Sequence, residues 1–290
     1  MFQSVKELIE ICEKENKKIY EVMIEQEISV TKLSKEEVYK NMERNLDTME
    51  KAIERGINGV TSTTGLTGMD AVLLQEYLES GKSLSGDLMI DAVSKAVATN
   101  EVNAAMGKIC ATPTAGSAGV APGVLFALKK RLNPSREDMI HFLFTTGAFG
   151  FVVANNASIS GAAGGCQAEV GSAAAMSAAA TVEMAGGTPQ QSAEAFAISL
   201  KNMLGLVCDP VAGLVEVPCV KRNAAGASNA IISADMALAG VTSRIPTDEV
   251  IEAMYKIGQT MPSALRETGR GGLAGTPTGE RLKQEIFGNS

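Results

Sequence analysis

The sequence is short of histidine, since His141 is the only one in 290 residues. It lies beside Phe142 and Phe144 on a predicted apolar helix, where a lone histidine is more often a structural residue than a base. A Ser-His-Asp or Cys-His enzyme would have to use this one residue. The sequence therefore disfavours both of these enzyme classes.

Excess positive charge and long apolar runs are also missing. The chain has 33 acidic and 26 basic residues and a net charge of −7, so its overall charge gives no attraction to nucleic acid or to an anionic membrane. It contains no run of about 18 consecutive apolar residues, so we expect no membrane span. Its first residues are charged and lack the apolar core of a secretion signal. Together with an odd number of cysteines, five, this predicts a cytoplasmic protein with free thiols.

Strand patterns and nucleotide loops are the third absence. No segment alternates strictly between apolar and polar residues, so we predict no sheet and an all-α fold, a compact helical catalytic domain with glycine-rich active-site loops. Two such loops, GVTSTTGLTGMD at 59–70 and ATPTAGSAGVAPG at 111–123, lie between predicted helices. Neither contains G-K-[ST], and neither is a G-x-G-x-x-G motif after a strand. A nucleotide is therefore not favoured as the ligand.

The N-terminal quarter of the chain has clear helix signals. Ser4-x-x-Glu7 and Ser34-x-x-Glu37 both read as capping boxes. Apolar residues at helical spacing follow Ser34, and Gly56 is predicted to end that helix in a left-handed conformation. Because residues 1–56 carry the densest charge, we predict an outer helical layer or arm there, continuous with a helical catalytic domain at 57–290.

Three cysteines, Cys166, Cys208 and Cys219, lie in runs of glycine and alanine between residues 155 and 229. Small residues let the backbone approach a ligand closely, and glycines allow irregular conformations that aim side chains at one point. These cysteines could therefore converge on a metal or chemical site, but they could equally be buried apolar residues. No C-x-x-C pair is present to decide between the two. Cys12 lies on the apolar stripe of the first helix and is predicted to be in the core.

The two glycine-rich loops supply hydroxyl groups at the starts of helices. These are Thr63, Thr64 and Thr67 in the first loop and Thr112, Thr114 and Ser117 in the second. Hydroxyls and free N–H groups at a helix N-terminus can hold a carboxylate. Simple helix capping by Thr64 or Thr67 is the alternative.

The stretches TSTTGLTG, TPTAGSAG, NASISGAAGGCQAEVGSA, LVCDPVAGLVEVPC and KRNAAGASNA resemble the alpha part of the iron–sulfur-dependent L-serine dehydratases. The resemblance extends over essentially the whole chain. It implies conversion of L-serine to pyruvate and ammonia on a [4Fe–4S] cluster, without pyridoxal phosphate, and it assigns Cys166, Cys208 and Cys219 as the cluster ligands. It also implies a beta part, which we expect to be a separate chain in a hetero-oligomer.

Three thiolates leave one iron of such a cluster open, and that iron could act as a Lewis acid on the β-hydroxyl of serine. The two hydroxyl-rich loops would hold the substrate carboxylate, with Asn155, Arg222 and Asn223 as further binding candidates. Lys221 and Arg222 could bind the carboxylate or offset the charge of the cluster.

The base that removes the α-proton is harder to assign from the sequence. Lys108 or Lys221 could serve if burial tunes its pKa, or the beta chain could supply the base, which is the interpretation we favour. Cys110, beside the second loop, could be a fourth ligand of the resting cluster, but a core role is favoured.

Two other function classes stay open at this point. A pyridoxal-phosphate-dependent deaminase would need a Schiff-base lysine, and no lysine stands out in such a context. A non-catalytic helical module held together by zinc or a cluster is the second, although structural zinc requires four protein ligands and only three cysteines are grouped.

Overall fold

A computed structural model describes residues 1–288 of the chain. Within that range the chain forms thirteen α-helices and no β-strand, which confirms the all-α prediction. Two isolated bridges join extended segments, Thr61 with Gly68 and Cys208 with Arg266. The helices are α1 Val5–Glu15, α2 Ile19–Thr31, α3 Lys35–Ile57, α4 Asp70–Glu79, α5 Asp87–Ala104, α6 Val120–Leu132, α7 Arg136–Asn156, α8 Gly161–Gly164, α9 Ser172–Met184, α10 Pro189–Lys201, α11 Cys219–Leu238, α12 Thr247–Thr260 and α13 Pro277–Phe287.

Helix α9, with the sequence SAAAMSAAATVEM, lies at the centre of the fold. Every residue from Ser172 to Val182 is buried, so this helix has no solvent-facing side. It packs against α6, α7, α10 and α11. Its alanine side chains are small enough to let these four neighbours approach closely. None of the helices in the described range is long and apolar enough to cross a membrane.

The first three helices cover this centre. Helix α1 packs on α10 and α12, α2 on α7, and α3 on α5 and α7. Cys12 is 1% exposed and belongs to the apolar cluster between α1 and the inner helices, as the sequence predicts. The capping box at Ser34 is complete, with both hydrogen bonds to Glu37 formed. At Ser4 only the serine half forms, because Glu7 accepts from the N–H of Gln3 instead.

Gly56 does not end α3, so that prediction is wrong. The helix runs on to Ile57, and its cap Asn58 keeps a right-handed conformation. Gly56 is buried against α5, where an added Cβ would lie 2.3 Å from the carbonyl oxygen of Ala98. Glycine is needed here because the backbones of α3 and α5 are in contact, not because the chain must turn.

Carboxylates from distant parts of the chain cap three helices. Asp248 accepts hydrogen bonds of 2.8 and 3.0 Å from the first turn of α1. Glu183 accepts one of 2.6 Å from the first N–H of α2. Glu101 accepts bonds of 2.8 and 3.2 Å from the start of α4. A negative charge at a helix N-terminus satisfies free N–H groups and the helix dipole, so these contacts fix the outer helices to the core.

Candidate functional site

Cys166, Cys208 and Cys219 line one cavity of about 430 Å³. Cys166 follows α8, Cys208 lies in the loop after α10, and Cys219 is the first residue of α11. All three side chains are buried. The tertiary structure thus brings together three segments that are far apart in the sequence.

A single buried side chain, that of Gln167, fastens two of these segments to each other. The chain makes a π-helical turn at Gln167–Gly171 between Cys166 and α9, and such turns are frequent at functional sites. The amide of Gln167 donates to the carbonyls of Gly164 (2.9 Å) and Met254 (3.0 Å) and accepts from the N–H of Gly205 (2.9 Å). The same residue therefore ties the Cys166 turn to α12 and to the loop that carries Cys208.

The glycine-rich segment after α12 packs against Cys208. Cys208 donates its N–H to the carbonyl of Leu265 (2.9 Å), and its own carbonyl accepts from the N–H of Glu267 (2.7 Å). Glu267 has a φ of 63°, a left-handed conformation that is uncommon for a residue other than glycine. Its side chain borders the cavity.

Glu169 also lines the cavity, and the sequence analysis missed it. Its side chain accepts a hydrogen bond of 2.7 Å from the Thr114 hydroxyl and lies 3.9 Å from Sγ of Cys208. A signal for this residue exists in the sequence. Glu169 is the only Asp, Glu, Lys or Arg between Asp138 and Glu183. A single charged residue in such a long uncharged stretch indicates a specific structural or functional role.

Burial makes the groups in this cavity hard to ionise. It raises the pKa of Cys166 to about 11, against the opposing charge of Arg222, and that of Cys219 to about 12. The pKa of Cys208 is raised too, first by burial and then by Cys166. Burial likewise raises the pKa of Glu169, and the hydrogen bond from Thr114 opposes that effect. Without a bound cation the three thiols are therefore neutral near pH 7, whereas a metal would replace their protons.

The geometry of the donors differs from that of a single-ion site. Within residues 1–288, no three or more His, Cys, Asp or Glu side chains lie close enough together to hold one metal ion. The three thiols instead surround a space, and Val120, Val170 and Ala173 pack behind Cys166 and Cys208.

The first hydroxyl-rich loop is fixed to the segment before Cys219. Thr64 and Thr67 donate to the carboxylate of Glu216, at 2.9 and 3.2 Å, and Glu216 is 5% exposed. Thr63 is exposed on the same loop. Two of the three predicted hydroxyls in this loop therefore bind a protein carboxylate.

The second loop reaches the cavity itself. Thr114 lines it together with Ala115 and Gly116. Ser117 is buried and donates to the carbonyl of Thr112 (3.0 Å), while the Thr112 hydroxyl donates to the carbonyl of Cys110 (3.2 Å). Ser117 and Thr112 thus shape the turn that presents Thr114.

Among the other predicted binding residues, Asn223 and Arg222 make contacts within the site. Asn223 is fully buried, accepts from the N–H of Gly119 (3.0 Å) and donates to the carbonyls of Gly116 (2.8 Å) and Cys219 (2.9 Å). It therefore fastens the second loop to α11.

Arg222 pairs with Asp209 at 2.8 Å and donates to the carbonyl of Val207 at 2.7 Å. Asn155 is exposed in the last turn of α7, where it donates to the carbonyl of Phe151 and does not border the cavity.

The predicted base candidates lie outside this cavity. Lys221 is exposed and pairs with Asp70. Lys108 is exposed and borders a different, polar cavity. His141 stacks on Tyr20, with ring centroids 3.8 Å apart, beside a third cavity near the end of α9. Cys110 is half-buried and borders an apolar cavity of about 340 Å³.

Comparison with known sequences places the chain in context. Residues 14–274 match the family described as "Serine dehydratase alpha chain". The chain is 74% identical over 290 residues to "Probable L-serine dehydratase, alpha chain" of Bacillus subtilis (strain 168), a match that covers 100% of this chain and 97% of the relative.

Two more distant relatives differ in length. The chain is 45% identical over 289 residues to "L-serine dehydratase, alpha chain" of Peptoniphilus asaccharolyticus, covering 99% of both. It is 40% identical over 280 residues to "L-serine dehydratase TdcG" of Escherichia coli (strain K12), but that match covers 94% of this chain and only 61% of the relative. The Escherichia coli protein therefore contains a large part that this match does not include.

Proposed function

Because this chain belongs to the serine dehydratase alpha chain family, we propose that it carries the cluster-binding part of an enzyme that converts L-serine to pyruvate and ammonia. The observation that carries this proposal is the convergence of Cys166, Cys208 and Cys219 on one cavity. The relatives named above bear the name L-serine dehydratase, which supports the same substrate.

The three cysteines fit a [4Fe–4S] cluster as the group that they hold. Thiolates are the usual ligands of iron–sulfur clusters, and these three surround a space of about 430 Å³ rather than a single point. When bound through three thiolates, a cluster would supply an iron that can act as a Lewis acid toward the leaving hydroxyl group.

The chain's own residues would position the substrate and exclude water. The turn at Thr114, Ala115 and Gly116 forms part of the cavity wall and offers backbone and hydroxyl groups to a carboxylate. The apolar residues behind Cys166 and Cys208 keep that side of the cavity dry, which strengthens electrostatic contacts inside it. Arg222 neutralises Asp209 beside Cys208, and its charge opposes the rise that burial causes in the pKa of Cys166.

A pyridoxal-phosphate mechanism finds less support, since no lysine is among the described residues that line the cavity. The same observation bears on the base for the α-proton, because Lys108, Lys221 and His141 all lie elsewhere. We propose that a separate beta chain supplies this base. The name "alpha chain" of two relatives and the greater length of the Escherichia coli relative both support a second part.

The proposal is tested by anaerobic preparation of the chain, followed by iron and acid-labile sulfide analysis and a serine-to-pyruvate assay. We expect about four irons and four sulfides per chain if the cluster is of the [4Fe–4S] type. Addition of the beta chain should raise turnover by at least about 100-fold, the low end of the contribution of a general base. A fully active, iron-free chain would contradict the cluster, and full activity of the isolated loaded chain would contradict the role of the partner.

A further inference from the structure

Glu169 lies in the proposed active site with no role in holding the cluster. We propose, as an extension of the proposed function, that Glu169 binds the α-ammonium group of the substrate, with Glu267 as a second carboxylate nearby. This contact would make the enzyme specific for α-amino acids over α-hydroxy acids of the same shape.

The position of the Glu169 carboxylate is tightly defined. The residue is 9% exposed and lines the cavity. One oxygen accepts from Thr114 (2.7 Å), and the other lies 3.9 Å from Sγ of Cys208. Two glycines press against the carboxylate, since an added Cβ would lie 3.3 Å from it at Gly116 and 2.5 Å from it at Gly161. The second loop and the start of α8 thus meet at this carboxylate and hold it in place.

The charges around the cavity favour a positively charged ligand. Two carboxylates, those of Glu169 and Glu267, are among the described lining residues, which include no lysine or arginine. The nearby Arg222 is paired with Asp209. In the described part of the chain neither glutamate forms a salt bridge. A buried carboxylate without a counter-ion is costly, and the ammonium group of an amino acid would supply the missing charge.

The distance between Glu169 and the cysteines suits serine. Only two carbon atoms separate the hydroxyl oxygen of serine from its ammonium nitrogen. A substrate whose hydroxyl points to the Cys208 side of the cavity therefore has its ammonium within reach of Glu169. Glu267 is the second candidate because its backbone N–H donates to the carbonyl of Cys208. This hydrogen bond holds Glu267 at the border of the same cavity.

The proposal predicts different behaviour for L-serine and L-glycerate, which differ only in having an ammonium group or a hydroxyl group on the α-carbon. With the cluster-loaded chain and its beta chain, we would measure the KM of L-serine and the inhibition constant of L-glycerate. For Glu169→Gln we expect the KM of L-serine to rise at least about tenfold, since hydrogen bonds to charged groups contribute about that much. Inhibition by L-glycerate should stay unchanged or become stronger.

Glu183→Gln is the matched control, because Glu183 is a partly buried glutamate near the C-terminal end of α9 that does not line this cavity. It should leave both constants unchanged. Iron and sulfide content, visible absorbance and thermal unfolding, measured on each variant, show whether the site and the fold are intact. An equal effect of Glu169→Gln on both ligands would overturn the proposal. So would a fall in kcat at unchanged KM, which would indicate a role in proton transfer.

If Glu169→Gln does not hold a cluster, two other measurements test whether the glutamates bind the ammonium group. Wild-type enzyme should bind L-serine at least about tenfold more tightly than L-glycerate, and Glu267→Gln should reduce that preference. Equal affinity of the wild type for the two ligands overturns the inference. Failure of the wild type to convert L-serine at all would instead refute the proposed function, so the two ideas fail separately.

Discussion

Glu169 lies just before α9 and Glu183 lies near its C-terminal end, and the two residues illustrate two uses of a carboxylate inside the fold. Burial raises the pKa of both. Glu183 accepts from the N–H of Ile19 (2.6 Å) with one oxygen and from the Thr145 hydroxyl with the other. Glu169 accepts from Thr114 and faces the cavity that contains the three cysteines.

A raised pKa does not distinguish these two residues, although this property is often taken as a mark of a functional site. The difference lies in their partners. Both oxygens of Glu183 accept hydrogen bonds from the protein, and the cavity that it borders is also lined by a cation, Lys18. Glu169 borders a cavity whose described lining has none. We therefore assign Glu183 to stability and Glu169 to the substrate.

The largest effect should come from removing any of the three cysteines that line the cavity with Glu169. Cys166→Ser, Cys208→Ser and Cys219→Ser should each reduce iron content and serine turnover to background, because a neutral hydroxyl does not replace a thiolate bond to iron. Cys12→Ser is the control. Cys12 lies on the buried face of α1, away from the cavity, so this variant should leave both values unchanged. An active, fully loaded Cys208→Ser enzyme would disprove the ligand assignment.

Removing the Glu183 carboxylate, near the C-terminal end of α9, should reduce stability rather than activity. Glu183→Ala leaves the N–H of Ile19 and the hydroxyl of Thr145 without their acceptor. Each unpaired buried group costs about 1–3 kcal/mol, so we expect the loss of both hydrogen bonds to lower the free energy of unfolding by about 2–6 kcal/mol. Chemical denaturation measures this, and turnover of the folded enzyme should be unchanged. A loss of turnover without loss of stability would give Glu183 a functional role and end the contrast with Glu169.

A pair of threonine variants makes a finer comparison, because each glutamate accepts from one threonine hydroxyl. Thr145→Val should lower the free energy of unfolding by about 1.5–3 kcal/mol, the range for a hydrogen bond to a charged group, and leave the KM of L-serine unchanged. Thr114→Val should have a smaller effect on stability, since Thr114 is only half-buried, and should raise that KM severalfold. Denaturation and steady-state kinetics on both variants measure these two effects. A raised KM for Thr145→Val together with an unchanged KM for Thr114→Val would contradict the roles given to the two glutamates.

The smallest expected effect is a pH dependence. Burial raises the folded-state pKa of Glu183 above its ordinary value of 4.5, so the native state binds the proton more tightly than the unfolded state. Stability from this group is fully present below about pH 4.5 and is lost as the pH rises through the folded pKa.

Glu183→Gln removes this titration. The stability of the variant relative to wild type should therefore increase with pH above 4.5, by up to about 1.4 kcal/mol for each pH unit. Urea denaturation of both proteins from about pH 5 to pH 8 measures the difference, within the range where this linkage applies. Parallel stability profiles would show that Glu183 does not titrate in this range.

Much of this architecture was predictable because it depends on local patterns. The absence of alternating segments predicted the all-α fold, the motif at Ser34 predicted a complete capping box, and the apolar stripe around Cys12 predicted its burial. Gly56 shows the limit of such patterns. A glycine near a helix end predicts a left-handed stop, but here the backbone of α5 requires it, and no local sequence signal reports contact with a distant helix.

The candidate site likewise combines features that the local sequence predicts with features that depend on the tertiary structure. The sequence by itself identified the candidate residues for chemistry, namely three cysteines among small residues and two loops rich in hydroxyls, because residue type and its immediate neighbours are local properties. The tertiary structure alone decided that Thr64 and Thr67 bind Glu216, that Asn223 fastens a loop, and that Glu169 faces the cysteines. Those roles depend on which side chains meet after the helices and their connecting loops pack together. A hydroxyl or carboxylate is available to a substrate only where that packing leaves it without a sufficient partner in the protein.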